Sequence, residues 1–341
     1  MASHRRPKQP SRARVTVLTT AAAAAVVLGG NSAQAAPAKP SKGEVKEKVD
    51  KLHEEAEQAT EKYNGAKEKQ KKLEKEIDAL QDNVARGQED LNELRDAIGM
   101  AAAAQYRSGT IDSSMQLFLS ADPDDYLDKA STLDQLSNQQ VEALAEIQDK
   151  QRELAQQRQE ATTKMEDLSD TTEELGKRQQ EVKGKLAEAQ KLLNSLTAAE
   201  RAEMAQDEAK SALQSASLAG GGGAAASGRA ADAFAAAQSK IGTPYSYGAT
   251  GPGSFDCSGL TSWAYGQAGV GLPRTSQQQA NYGTRIGMSE LKVGDLVIFY
   301  SDLHHVGLYA GNGQVLHAPR TGTFVRYESI NNMPFQFGVR V

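Results

Sequence analysis

From residue 45 onward the chain sets apolar residues at alternating three- and four-residue intervals. Val45, Val49, Leu52, Ala56, Ala59, Tyr63, Ala66, Leu73, Ile77, Leu80, Val84, Leu91, Leu94 and Ile98 fill fourteen of sixteen successive seam positions, with Gln70 and Gly87 in the other two. This is the heptad spacing of a helix that buries one narrow stripe against a partner helix. A second phase runs from Leu144 to Leu196, with twelve of its sixteen seam positions apolar. Ser108-Gly109-Thr110 and Ala121-Asp122-Pro123 break helix between the two phases. The pattern predicts a long antiparallel α-helical coiled-coil hairpin over residues 36–215, its first arm reaching roughly 95 Å at 1.5 Å per residue. Pairing about a centre near residue 115 sets Val45 opposite residue 185. That register leaves Leu192, Leu193, Leu196 and Met204 without an intramolecular partner, so they are expected to dock on the C-terminal domain, another protein or a second copy.

The period changes after residue 229. Residues 216–229, with four consecutive glycines, follow neither helical nor strand periodicity and read as a flexible Gly/Ala/Ser-rich linker. Over residues 230–341 the pattern predicts helices at 230–241 and 255–268, a buried strand at 296–300 and a hairpin of 305–310 with 314–318. That mixture is an α+β domain. Fourteen of the chain's eighteen aromatic residues fall there, which supplies the bulk for a core.

The first 35 residues form a third region. Arg5, Arg6, Lys8, Arg12 and Arg14 precede an apolar run at 15–28 and the small-residue sequence Ala33-Gln34-Ala35. This order predicts a secretory signal peptide cleaved after Ala35, hence a secreted, cell-wall-associated protein. The formal charge of -5 divides into +5 for residues 1–35, -11 for 36–229 and +1 for 230–341. A nucleic-acid-binding protein would need a basic patch on its bulk, so that class is excluded.

Cys257 is the only cysteine, which rules out an intramolecular disulfide. It lies in Asp256-Cys257-Ser258-Gly259-Leu260. With Asp256 as helix cap, the thiol falls in the first helical turn, where unpaired N–H groups and the helix dipole favour thiolate. In His305-Val306-Gly307-Leu308-Tyr309, Val306 and Leu308 face the core and His305 the other way. A three-residue loop, Gly311-Asn312-Gly313, brings His317 to the face of His305, opposite Gly307, where no side chain intervenes. A two-residue turn would put His317 on the wrong face. His304 has the opposite parity and is expected at the surface or rim. A thiolate on a helix start, a base on a strand and an orienting group on the next strand make a nucleophilic site. A zinc site of Cys257, His305 and His317 is the weaker alternative, because no short two-ligand spacing is present. No cofactor is expected.

These residues resemble the NlpC-type cell-wall cysteine peptidases, which have a reduced papain-like fold. The resemblance covers 230–341 and rests on Gly242-Thr243-Pro244-Tyr245-Ser246-Tyr247-Gly248, the Cys257 motif, Leu272-Pro273-Arg274-Thr275-Ser276, Val293-Gly294-Asp295-Leu296-Val297, the His305 motif and His317-Ala318. It implies Cys257 as nucleophile, His305 as base and then acid, His317 as its orienter and Tyr245 as an aid to polarising the carbonyl oxygen. Asp256 and Ser258 are expected to contact the substrate, and Arg274 and Asp295 to be structural. The implied activity is hydrolysis of peptidoglycan stem peptides, typically at the bond from the γ-carboxyl of D-glutamate to the diamino acid. Members with an N-terminal coiled coil are similar to enzymes of cell separation whose coiled coil restrains catalysis or binds a membrane-bound cell-division activator complex. The alternatives are a coiled-coil adaptor or wall-binding protein with little turnover, and an amidase or acyltransferase on the same scaffold.

Overall fold

A computed structural model describes residues 41–107, 123–219, 224–225 and 227–341. The expected signal peptide, the break between the heptad phases and the glycine run of the expected linker lie outside the described residues. Two long helices, α1 (Lys42–Arg107) and α2 (Pro123–Asn194), pack along each other, and α3 (Ala198–Ala219) follows. Ser41 and Glu44 cap α1 reciprocally, each side chain bonded to the other's backbone N–H.

The two long helices run antiparallel, as the ion pairs Glu55–Lys185 (2.6 Å), Glu76–Lys164 (2.7 Å) and Asp90–Lys150 (3.4 Å) require. These pairs centre on residue 120, not 115, and the shift corrects one expectation. Leu196 and Ala189 pack against Val45 and Val49, with Leu52, Leu192, Leu193 and Met204 around them, so the leucines expected to lack a partner have one within the chain. Gly87 in the seam has a reason as well. A Cβ there would lie 2.8 Å from Leu154, which is buried against Leu91 and Ile147. The second arm is also not continuous. It stops at Asn194 and restarts at Ala198, where Thr197 and Glu200 form a capping box visible in the sequence as Thr-x-x-Glu. The new helix continues through Ala219, past the expected start of the linker at 216.

The C-terminal part contains α4 (Gly228–Gln238), α5 (Cys257–Gln267) and α6 (Ser276–Gln279). Its strands are β1 (Thr284–Ile286), β2 (Leu296–Phe299), β3 (His305–Gly311), β4 (Gln314–His317), β5 (Arg326–Ser329) and β6 (Phe335–Arg340). They form one antiparallel sheet in the order β1-β6-β2-β3-β4-β5. Leu296, Ile298, Val306, Leu308 and Leu316 on one face of the sheet enclose a core with Phe255, Leu260, Ala264 and Tyr265 of α5 and its approach. The other face carries Val297, Phe299 and Val315 with Ile330. The long helical region followed by an α+β domain with an antiparallel sheet agrees with the fold class expected from the pattern. Among the described residues, no helix is long and apolar enough to cross a membrane.

Candidate active site

Cys257 opens α5. Asp256 caps that helix by accepting from the Gly259 backbone N–H (2.7 Å), and Arg274 holds both oxygens of the Asp256 carboxylate. Arg274 also donates to Ser258 Oγ (2.8 Å), so one guanidinium orders both neighbours of the cysteine. Tyr245 is buried, and desolvation, followed by the nearby Glu57 and Cys257, pushes its phenol well above its usual range. It is therefore a neutral O–H donor.

The histidines come together as the strand parity requires, by a route different from the expected one. The β3–β4 connection is the two-residue turn Asn312-Gly313, with positive φ at both residues. Such a turn alone would misplace His317. A bulge between Tyr309 and Gly311 adds the missing residue to β3 and restores the parity, leaving Leu308 opposite Leu316. His305 Nε2 then lies 2.8 Å from His317 Nδ1, with the rings perpendicular. At Gly307 a Cβ would stand 2.4 Å from Val315 Cγ2 and 3.0 Å from His317 Cβ. Only glycine leaves His317 its place. Beyond it, His317 Nε2 lies 3.3 Å from Glu328 Oε2 on β5. Burial lowers the His317 pKa against the opposing pull of Glu328, so its ring is neutral.

His304 differs from expectation. It is buried, stacked on Tyr300 and bonded to Asp302, and its carbonyl oxygen lies 3.8 Å from Cys257 Sγ. Parity turned it away from His305, but α1 covers the rim where it lies.

α1 crosses the site directly. Glu61 Oε1 accepts from Ser258 Oγ (2.7 Å) and lies 3.7 Å from Cys257 Sγ, while its Oε2 accepts from the Ser276 backbone N–H (2.8 Å). One turn earlier, Glu57 Oε2 is 3.4 Å from His305 Nδ1. One turn later, Asn64 donates to Asp256 (3.1 Å), and Tyr63 meets Tyr247 edge-on. Residues at i, i+4 and i+7 of a single helix face thus cover the thiol, the imidazole and the cap. Glu57, Thr60, Glu61 and Asn64 are all buried, and Glu61, pushed up to about 7 by desolvation and then by Asp256, is held part-neutral. Cys257 is likewise pushed well above its usual pKa, first by burial and then by Glu61, Asp256 and Glu57. In this arrangement it is a thiol, and the expected thiolate does not form. A cleft of about 730 Å³ between α1, α3 and the sheet reaches His305, His317 and Glu328 from the side of Arg320. Among the described residues, no group of three His, Cys, Asp or Glu side chains is arranged to hold a metal ion.

Residues 242–339 match the NlpC/P60 family model. A probable endopeptidase of Corynebacterium glutamicum is 55% identical over 105 residues, which are 31% of this chain and 50% of that protein. A probable endopeptidase of Mycobacterium tuberculosis is 46% identical over 91 residues, 27% of this chain and 24% of the relative. The chain thus spans half or less of the length of these two relatives. The crystal structure of the NlpC/p60 domain of the peptidoglycan hydrolase SagA aligns at 36% identity over 33% of this chain and 98% of that one, with a TM-score of 0.32. The M. tuberculosis peptidoglycan hydrolase RipB aligns at 33% identity over 33% and 64%, with a TM-score of 0.31. The part of the chain that α1 covers is accordingly an NlpC/P60 domain.

Proposed function

We propose that this chain is an exported cysteine endopeptidase that hydrolyses peptidoglycan stem peptides in the cell wall, and that α1 holds it latent in cis. The observation that carries this reading is the pair Glu57 and Glu61, one turn apart on α1, set against His305 and Cys257. The names of the relatives support the reaction class. In the open state, with the three carboxylates reduced to Asp256 alone, the dipole of α5 favours the thiolate again. His305 Nδ1 takes the Cys257 proton, and the sulfur attacks the scissile carbonyl. The Cys257 backbone N–H and the Tyr245 hydroxyl stabilise the oxyanion. His305 then protonates the leaving amine, and water, activated by the same imidazole, hydrolyses the thioester. Asp256 and Ser258 contact the stem peptide, and the bond cut is that from the D-glutamate γ-carboxyl to the diamino acid.

Release of α1 is assigned to a membrane-bound cell-division activator complex that binds the far end of the coiled-coil arm. Exposed apolar residues there, among them Met100, Tyr106, Val141 and Leu144, support a partner surface.

The test uses the full chain on defined wall fragments, with new termini identified by mass spectrometry. Glu61→Ala removes the acceptor for Ser258 and Ser276. Leaving such buried donors unpaired costs about 1–3 kcal/mol, or a roughly 5- to 150-fold larger open fraction and turnover. Cys257→Ala abolishes turnover in either background. Equal rates for the wild type and Glu61→Ala would refute latency, persistent cleavage by Cys257→Ala would refute the peptidase reading, and a different new terminus would refute the bond assignment.

A further inference from the structure

The hydrogen-bond chain in the sheet does not end at His317. We propose that Glu328 is a positioning residue of the peptidase site, acting through His317 to fix which ring nitrogen of His305 is free to take the Cys257 proton. This rests on the peptidase reading above.

The argument is one of proton places. His305 Nε2 and His317 Nδ1 face each other at 2.8 Å, and one proton lies between them. A neutral imidazole carries a single N–H, so the ring nitrogen that His317 protonates decides the matter. The Glu328 carboxylate only accepts, so His317 holds its proton on Nε2, pointing at Glu328 Oε2. His317 Nδ1 is then a lone pair and must receive the proton of His305 Nε2. Glu57 Oε2 stands 3.4 Å from His305 Nδ1 on the side that α1 covers but makes no hydrogen bond with it, whereas Glu328 does bond His317. Glu328 therefore sets the tautomer, and His305 Nδ1 is left as a lone pair and so as a base. With the opposite His317 tautomer, Nδ1–H would point at His305 Nε2, drive the His305 proton onto Nδ1 and abolish the base.

Glu328 is itself held in the charged state this role needs. Burial opposes ionisation, but the bond from His317 and the charge of Arg326 hold its carboxyl well below the usual carboxylate range. Arg326 donates to the same Oε2 (3.0 Å) and Asn332 to Oε1 (3.2 Å), which fixes the carboxylate plane. From α3, Glu208 lies 3.7 Å from Arg326 and bonds Arg320 at 2.7 Å. The register makes the contact: Glu328 pairs with Val315 and Arg326 with His317, which puts all four on one face and sets Glu328 diagonal to His317.

The test compares wild-type full chain with Glu328→Gln and Glu328→Asp, reading the imidazole tautomers of His305 and His317 by long-range ¹H–¹⁵N NMR. Steady-state rates are measured for each in the Glu61→Ala background. Glutamine keeps the size but brings an N–H₂ that can donate to His317 Nε2. The expected result is a mixed His317 tautomer, loss of the Nδ1 lone pair from part of the His305 population, and a roughly 10- to 100-fold lower kcat at unchanged KM, the loss typical when the hydrogen-bond partner that orients a metal-ligating histidine is removed. Aspartate restores most of it. Unaltered tautomers in Glu328→Gln, or altered tautomers with an unchanged kcat, overturn the proposal. A tautomer shift in a protein whose Glu61→Ala parent cuts no wall fragment refutes the peptidase reading and leaves the Glu328–His317 coupling standing.

Discussion

Cys257 is restrained electrically as well as sterically. Burial alone disfavours the thiolate, and Glu61, Asp256 and Glu57 add negative charge around the sulfur. Among the residues that build the site, Gly307 is the most exposed to test. Its neighbours leave no room for a methyl group, with Val315 Cγ2 at 2.4 Å and His317 Cβ at 3.0 Å from an ideal Cβ, and both are backbone-anchored in β4. Gly307→Ala is expected to cost about 1–3 kcal/mol by overpacking and to push His317 out of reach of His305. Thermal unfolding should show Tm lower by several degrees, and turnover should fall further than stability accounts for. A variant with wild-type Tm and rate would show that β4 yields without cost. Cys257, His305 and His317 were legible in the sequence because their residue types are scarce and strand parity is strict. Glu57 and Glu61 were not, since they are two acids in a helix full of Glu, and nothing local distinguishes a glutamate facing a thiol from one facing water. Glu328 lies on a strand, Arg-Tyr-Glu-Ser, with one β-favouring side chain among three polar ones, a weak strand signal.

At the scale of elements, heptad spacing established that two long helices exist but not how they are offset, because a repeating stripe is nearly indifferent to a shift by one repeat. The ion pairs and the Leu196 cluster select the offset that occurs. In the sheet, β6 did carry an alternating signal, Phe335, Phe337 and Val339, whereas β1 is three residues long with two of them exposed. The contact between arm and domain is also divided unevenly among its residues. Arg320 bonds Asp50 of α1 and Glu208 of α3, but all three side chains are a quarter to two-fifths exposed. Such pairs contribute about 0–1 kcal/mol each and are screened by salt. Arg320→Ala is therefore expected to raise the basal rate of the full chain only a few-fold, well short of Glu61→Ala, and its excess over the wild type should narrow as salt is raised. An Arg320→Ala rate equal to that of Glu61→Ala would move the latch from the buried carboxylates to the rim.

For the whole molecule, if α1 holds the site latent as proposed, placing an acidic arm on a nearly neutral domain makes the closed state a proton-binding state. Glu61 is pushed up to about 7 when docked, by burial first and by Asp256 next, with Ser258, Ser276 and Arg274 pulling the other way; Cys257 adjoins it and Glu57 lies one turn away. Undocked and solvated, it returns to its ordinary value near 4.5. The closed form thus holds a proton that the open form releases, and linkage gives the sign: closure is strongest below pH about 4.5, weakens as pH rises to about 7, and receives no further change from this group above that. The measurable quantity is the rate of the Glu61→Gln full chain divided by that of the wild type, taken from pH 5 to pH 8. Glutamine keeps the acceptor oxygen and cannot ionise, so the intrinsic pH dependence of catalysis cancels in the ratio. The ratio should fall as pH rises, because the wild type opens while the variant does not, and then level off near pH 7. A flat ratio over that window would mean that Glu61 enters the closed site with its charge already compensated by Arg274, and that acidity has no hold on the latch.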